Sequence, residues 1–165
     1  MKISDSQFAE PGGGSRRLID KEAPPAGGYF TSFATSKGGN ERVAPKSEIA
    51  EHISSHYDES QSFLHSPQFK ESGAKDTDIY QGKWVPDNDD DAFLDVSRHF
   101  PGKGGSSRIA ALKMGVNHAQ IAVWDANNDK SEDLLHTSGP LAGKPTQLGS
   151  MVKQLSRGRN RRQTA

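Results

Sequence analysis

Three polar side chains at alternate positions have the residue types of an acid–base site. Asp95, Ser97 and His99 stand two residues apart in the stretch 92–100, and alternate residues of a β-strand share one face. A carboxylate, a hydroxyl and an imidazole can transfer protons where they meet a substrate together. Neighbouring members would lie about 7 Å apart at Cα, which is long for a direct bond between serine and histidine. These three residues are catalytic candidates, and the simpler interpretation is the polar face of a half-buried hairpin.

A glycine-rich loop follows this strand and leads into a predicted helix. Its candidate anion-binding residues are Lys103, Gly104, Gly105, Ser106 and Arg108. Backbone N–H groups at the start of a helix, together with two cations, can hold a phosphate or a carboxylate. The spacing matches neither Gly-x4-Gly-Lys-Ser/Thr nor Gly-x-Gly-x-x-Gly. A connector with a serine cap is therefore the alternative interpretation.

The C-terminal end of the chain is basic. Its cations are Lys153, Arg157, Arg159, Arg161 and Arg162, and no acidic residue follows Asp133. Each cation can neutralise a phosphate and release counterions, which produces salt-sensitive binding to nucleic acid without sequence preference. An acidic protein surface is the alternative partner, and a solubilising terminus without a partner is the third interpretation.

Two acidic stretches have the spacing of the first three ligands of a calcium loop. They contain Asp87, Asp89 and Asp91, and Asp125, Asn127 and Asp129. Both lack the glycine and the glutamate that such a loop needs at its sixth and twelfth positions. His52 and His56 stand one helical turn apart without an assigned third ligand. We therefore expect solvated turns and a polar helix flank, with no metal site and no cofactor.

The composition limits the size of the compact part. The chain has 165 residues, of which 32% are hydrophobic, and a mean hydropathy of −0.80. These values are lower than those of an ordinary globular chain, and a core of about 100 residues with polar tails would account for them. We predict a disordered tail at residues 1–28, an α+β core at 29–126, and an extended, basic tail at 127–165.

Other totals exclude whole classes of chemistry and location. The chain has no cysteine, which excludes disulfides and thiolate catalysis. No apolar run approaches the roughly 18 residues needed to cross a bilayer, and the first residues have no apolar signal region. The formal net charge is +0, so any attraction to a polyanion must be local. We expect a cytoplasmic protein without a membrane partner, located in the host cytoplasm or in the virion if a phage encodes it.

Residue periodicity predicts the elements that would hold these side chains. Strands are predicted at residues 29–35, 79–85, 92–100 and 120–125, and helices at 45–64 and from Ser106 or Ser107 to about 117, with a further short helix at 149–155. The resulting β-α-β-β-α-β order is that of ferredoxin-like split sandwiches. The predicted fold is a small α+β two-layer sandwich with a mostly antiparallel four-stranded sheet, two helices and disordered termini. RNA-recognition modules share this order, but the stretch 92–100 lacks their aromatic pattern.

Three stretches resemble a recurring pattern in uncharacterised proteins of phages and mobile elements. They are Gly28-Tyr29-Phe30-Thr31-Ser32, Phe93-Leu94-Asp95-Val96-Ser97-Arg98 and Asn117-His118-Ala119-Gln120-Ile121-Ala122-Val123-Trp124-Asp125. In that pattern a Tyr-Leu-Asp-Val-Ser strand precedes a short helix and a Gln-Ala-Ile-x-Asp strand. The resemblance covers residues 28–125 and leaves out the basic end. It implies a genetic setting and no particular chemistry.

We expect a small non-enzymatic accessory protein of a phage or mobile element that works by binding. It would be a virion component or an intracellular factor that contacts nucleic acid or host proteins. The first alternative is an enzyme acting on a nucleotide or another phosphate compound, with Lys103 and Arg108 on the anion and Asp95 and His99 in acid–base work. The second alternative is a secreted effector or toxin, which rests on the composition of the N-terminal segment.

Overall fold

The computed structural model describes the backbone of residues 1–86 and 89–164, and side chains as far as residue 157. The chain forms two compact units. The first contains Met1–Pro25 and Ser32–His99, and the second contains Ala26–Thr31 and the chain from Phe100 onward. Each unit combines helices with antiparallel strands, so the α+β class is confirmed.

The described residues contain seven strands and five α-helices, where the sequence predicted a sandwich of four strands and two helices with one further short helix. The strands are β1 Gly14–Arg17, β2 Tyr29–Ser32, β3 Arg42–Pro45, β4 Ile79–Trp84, β5 Asp91–Phe100, β6 Ala122–Asp125 and β7 Lys130–Asp133. The helices are α1 Asp5–Phe8, α2 Ile49–Ser60, α3 Pro67–Ser72, α4 Gly105–Asn117 and α5 Gln147–Thr164. Short 3-10 turns at Thr35–Lys37, Lys46–Glu48, Gln61–His65 and Asp76–Asp78 join several of them. The predicted four-stranded sandwich therefore has too few strands and too few helices.

The first unit is built on the hairpin of β4 and β5. The two strands pair from Ile79 opposite Arg98 to Trp84 opposite Phe93. Strand β1 pairs with β4 on its other side, and β3 pairs with the beginning of β5. This hairpin is the one predicted from the alternating apolar residues of the sequence, to within a residue at each end.

Helix α2 covers one face of this hairpin. Ile53 packs with Phe8, Ala44 and Leu94 in a buried cluster. Pro45, which was expected to begin the helix, instead ends β3 with an extended ψ of 136°. The first turn is then a 3-10 turn, and α2 begins at Ile49.

The N-terminal segment is ordered, which corrects the prediction of a disordered tail at residues 1–28. Ser4 and Gln7 form a capping box on α1, and β1 pairs with β4. Arg16 and Leu18 are both fully buried. The low apolar content of residues 1–28 predicted disorder. The segment is instead held in place by a buried, ion-paired cation, which a count of apolar residues does not detect.

The second unit packs α4 and α5 against the antiparallel strands β2, β6 and β7. Its core contains Tyr29, Ala111, Leu112, Val123, Leu134 and Val152. Gly115 of α4 allows the close approach, because a Cβ there would collide with Leu134 and Val123. Residues 127–165 were predicted to be an extended tail apart from a short helix at 149–155, and the structure corrects this: they contain β7 and the 18-residue helix α5, which includes that stretch.

Within the described ranges, no helix is both long enough and apolar enough to cross a membrane.

Candidate functional site

Asp95 occupies an unusual position on β5. Its Oδ2 accepts a hydrogen bond from Ser32 Oγ. Its Oδ1 is buried and has no hydrogen-bond partner within the part of the chain that the structure describes. Gly82 stands directly opposite on β4, and a Cβ at position 82 would collide with this oxygen. Glycine at position 82 therefore makes the space into which the carboxyl group folds.

Removal from water raises the pKa of the Asp95 carboxyl group to about 6. Desolvation is the largest cause, since burial disfavours the charged form. The hydrogen bond from Ser32 lowers the pKa and the charge of Glu41 raises it. The residue as a whole keeps some exposed surface, but the carboxyl group itself is enclosed. Asp95 thus has the perturbed proton affinity that is common at functional sites.

Ser97 and His99 share the strand with Asp95 without joining it in a catalytic set. Ser97 Oγ is buried and bonds to no described residue. The buried His99 ring packs edge-on against Tyr80, with 5.7 Å between ring centroids. Alternate residues of a strand lie about 7 Å apart at Cα, and Ser97 Oγ makes no hydrogen bond to either neighbour on this face. Their assignment as catalytic residues remains a prediction.

A row of apolar side chains lies beside Asp95. Trp84 stands opposite Phe93, which stands opposite Val43, and we call these three residues the Trp84 row. The rings of Trp84 and Phe93 are 5.4 Å apart and tilted by 37°. Trp84 is 54% exposed and Val43 is 51% exposed. Because side chains of a strand alternate between its two faces, the sequence predicts that Phe93 and Asp95 share a face. It does not reveal that the end of this face near Phe93 is exposed to solvent.

The acidic turn after β4 borders the Trp84 row. Asp91 N–H donates to Asp89 Oδ1 at 3.0 Å, which is the local bonding expected of an aspartate-rich turn. Asp87, the first of the predicted calcium-loop positions, lies outside the described residues. In the other such stretch, Asp125 Oδ1 accepts from the N–H groups of Asn127 and Asn128. Among the residues described, no group of three histidine or carboxylate side chains is arranged to hold a metal.

His56 belongs to a buried series of hydrogen-bonded polar side chains beneath helix α2. Arg16 Nε donates to Gln81 Oε1 at 2.8 Å, Gln81 Nε2 donates to His56 Nδ1 at 2.9 Å, and His56 Nε2 donates to Asn40 O at 2.7 Å. Burial lowers the pKa of His56 to about 4. The imidazole is therefore neutral and both of its nitrogens are engaged. Its partner in the predicted pair, His52, is only half-buried and lies 3.7 Å from Glu48.

The glycine-rich loop opens α4, but its bonds differ from those predicted. Gly104 occupies the N-cap position without a side-chain cap, and Ser107 Oγ instead donates back to Pro101 O at 2.6 Å. Arg108 donates to both carboxylate oxygens of Glu132 on β7, at 2.9 to 3.0 Å. The ion pair raises the pKa of Arg108. Anion binding by Lys103, Gly104, Gly105, Ser106 and Arg108 stays a prediction, and one of its two cations is already paired.

The basic end forms the second half of α5. Leu148 and Val152 pack into the core of the second unit, and Gly149 N–H donates to Thr146 Oγ1 at the start of the helix. Lys153 and Arg157 are exposed. Arg159, Arg161 and Arg162 belong to the same helix, and their side chains lie outside the described part. The helix to which the predicted nucleic-acid-binding residues belong is thus anchored in the core of the second unit at its beginning.

No protein-family model, curated protein or solved structure matches the chain.

Proposed function

We propose that the protein is a non-enzymatic nucleic-acid-binding protein that contacts the sugar–phosphate backbone through α5. The observation that carries the proposal is a basic helix anchored in the fold. Val152 is buried in the core of the second unit while its neighbour Lys153 and then Arg157 are exposed. An anchored helix presents its cations at a smaller entropic cost than a flexible arm, because fewer groups must be ordered on binding.

The helical period aligns part of this charge. Lys153, Arg157 and Arg161 follow one another at four-residue intervals in α5, and such positions lie on one side of a helix about 6 Å apart along its axis. Neither Lys153 nor Arg157 forms an ion pair with any described residue. Like charges at this spacing destabilise an isolated helix. A polyanion relieves that repulsion, which favours binding.

The charge is segregated along the chain. Residues after Asp133 contain six of the 21 lysines and arginines and none of the 21 acidic residues. The first 133 residues therefore carry fifteen basic against 21 acidic side chains. Because the rest of the chain repels phosphate, we expect binding to depend on α5. The resemblance to phage and mobile-element proteins supports a setting in which phage or mobile-element nucleic acid is the partner, and a virion or intracellular role would follow from it.

Fluorescence anisotropy with labelled single-stranded and double-stranded oligonucleotides tests the proposal. The tail variant replaces Arg157, Arg159 and Arg161 by glutamine. A matched variant removes the same charge from exposed positions of the first unit by replacing Lys46, Lys70 and Lys75 by glutamine. The tail variant loses three phosphate contacts and the counterion release that accompanies each of them. It should therefore bind at least about tenfold more weakly at low salt. The matched variant should bind as the unaltered protein does.

Equal affinity of the two variants would contradict the proposal, because charge loss anywhere would then have the same effect. Failure of the unaltered protein to bind any of the oligonucleotides at low salt would also contradict it. Circular dichroism of both variants checks that α5 and the remainder of the fold persist.

A further inference from the structure

The Trp84 row of the first unit is an exposed apolar surface on a polar protein. Trp84 and Val43 each expose about half of their surface, and Phe93 lies between them in register. Exposed apolar residues that adjoin one another mark contact surfaces more often than scattered ones do. The row therefore needs a partner whose chemistry matches its surroundings.

Those surroundings are acidic. Asp89 and Asp90 lie on the turn that follows Trp84, and Asp91 is the first residue of β5. Asp95 stands two residues beyond Phe93 on the same face, and because its carboxyl group is enclosed it can act on a bound cation only through its electric field, not by direct pairing. Glu41 is close enough to act on the Asp95 carboxyl group. Aromatic faces beside carboxylates attract cations, and a guanidinium suits them best because it stacks on a ring and pairs with an acid.

We infer that the Trp84 row binds the arginine-rich end of α5 from a second copy of this chain. The chain itself supplies both halves of the contact: four arginines within residues 157–162, and an aromatic row bordered by aspartates. The net charges are complementary, since the residues after Asp133 are basic and those before it are acidic in sum. A nucleic-acid strand is a poorer occupant, because its phosphates would meet the aspartates.

The contact is weak and sensitive to salt. One stacked guanidinium at a partly exposed site contributes modestly, so we expect self-association with a dissociation constant on the order of 0.1 to 1 mM at low salt. At about 0.5 M salt, screening shortens the range of the charges to a few ångströms, and the association should be lost. Nucleic acid bound to α5 should also abolish it, because both partners use the same arginines.

Nuclear magnetic resonance of the full-length protein tests the contact directly. The chain has two tryptophans, so its two indole N–H signals report separately on Trp84 and Trp124. The probe is a synthetic peptide with the sequence of residues 153–165. It should shift the Trp84 signal and leave the Trp124 signal in place. The same peptide with its four arginines replaced by glutamine should shift neither signal.

Variants test the residues that form the surface. Trp84→Ala should raise the dissociation constant for the peptide at least about fivefold, and Asp90→Asn, which removes an exposed carboxylate from the adjoining turn, should raise it at least about twofold. Trp124→Ala is the matched control, since it removes an exposed tryptophan from the second unit without altering the row. Sedimentation of the unaltered protein should show dimers at low salt and millimolar concentration, and Trp84→Ala should remove them while leaving oligonucleotide binding unchanged.

Three results would overturn the inference. The peptide would shift both indole signals equally or neither of them. Dimers would persist in Trp84→Ala. A single-stranded oligonucleotide would shift the Trp84 signal as strongly as the peptide does, which would assign the row to bases instead. Loss of oligonucleotide binding in the tail variant, measured separately, concerns the proposed function and leaves these outcomes distinct.

Discussion

At the scale of single residues, Asp95 and His56 have opposite effects on how stability depends on pH. The pKa of Asp95 rises from 3.8 to about 6 in the folded protein, so its contribution is full below pH 4 and is lost as the pH rises through 6. The pKa of His56 falls from 6.5 to about 4, so its contribution is full above pH 6.5 and is lost as the pH falls toward 4. Between these limits the two effects offset one another.

Asp95→Asn should therefore stabilise the protein at pH 7.5, because it removes a carboxylate that is desolvated when charged. The gain is at most about 3 kcal/mol, at roughly 1.4 kcal/mol for each pKa unit. The stability of this variant should decline between pH 6.5 and 4, where His56 acts alone, while the unaltered protein stays nearly level. Urea unfolding from pH 4 to 7.5 measures the free energy of unfolding of the variant and of the unaltered protein. Asp58→Asn, at an exposed position, is the control and should change that free energy by less than about 0.5 kcal/mol.

A lower stability of Asp95→Asn at pH 7.5 would show that the charged carboxylate is a net stabilising group. If the variant is more stable, as predicted, the native Asp95 lowers the free energy of unfolding at pH 7.5. Groups of that kind occur where a surface serves binding, which agrees with its place beside the Trp84 row.

Arg16 tests how the N-terminal segment is held. Its guanidinium pairs with Asp5 at 2.7 Å and lies between the rings of Phe8 and Tyr57, at 4.9 and 4.8 Å. Arg16→Ala leaves Gln81 Oε1 buried without its donor and should lower the free energy of unfolding by about 3 to 5 kcal/mol. Its neighbour Arg17 forms a partly exposed pair with Asp20, and Arg17→Ala should cost less than about 1 kcal/mol. Equal losses in urea unfolding would contradict this account.

At the scale of elements, the sequence predicts those strands and helices that have their own apolar period. The hairpin of β4 and β5, helix α4 and strand β6 are of this kind. Strands β1 and β7, with the sequences Gly-Ser-Arg-Arg and Lys-Ser-Glu-Asp, have no apolar alternation and form because a neighbouring strand offers a hydrogen-bonding edge. The candidate site has the same limit: Asp95 and His99 can be placed on one face of β5, but the hydrogen bond of Asp95 with Ser32 and the ring contact of His99 with Tyr80 depend on other parts of the chain.

The packing of α4 gives a prediction at this scale. Gly115→Ala should lower the free energy of unfolding by about 1 to 3 kcal/mol, because the collision with Leu134 and Val123 outweighs the better helix propensity of alanine. Gly105→Ala is the matched change in the same helix, at a position where a Cβ would meet open space. It should leave stability unchanged or raise it slightly. Thermal unfolding of both variants decides the matter, and a stabilised Gly115→Ala would disprove the packing argument.

At the scale of the whole molecule, the distribution of charge connects the two proposals. The net charge of +0 hides a basic helix attached to an acidic remainder. Composition alone therefore excluded a global attraction to nucleic acid and could not exclude a local one. The basic residues were evident in the sequence, but their anchoring was not, because Leu148 and Val152 become core residues only through packing against the strands of the second unit.

The salt dependence of nucleic-acid binding tests the central claim most directly. If the five cations of α5 each contact a phosphate, a plot of log Kobs against log salt concentration for a single-stranded oligonucleotide should have a slope of about −3.5. Replacing Arg157, Arg159 and Arg161 by glutamine should reduce the slope to about −1.4. A slope near zero for the unaltered protein, or the same slope for both proteins, would contradict the assignment of α5 as the nucleic-acid-binding element.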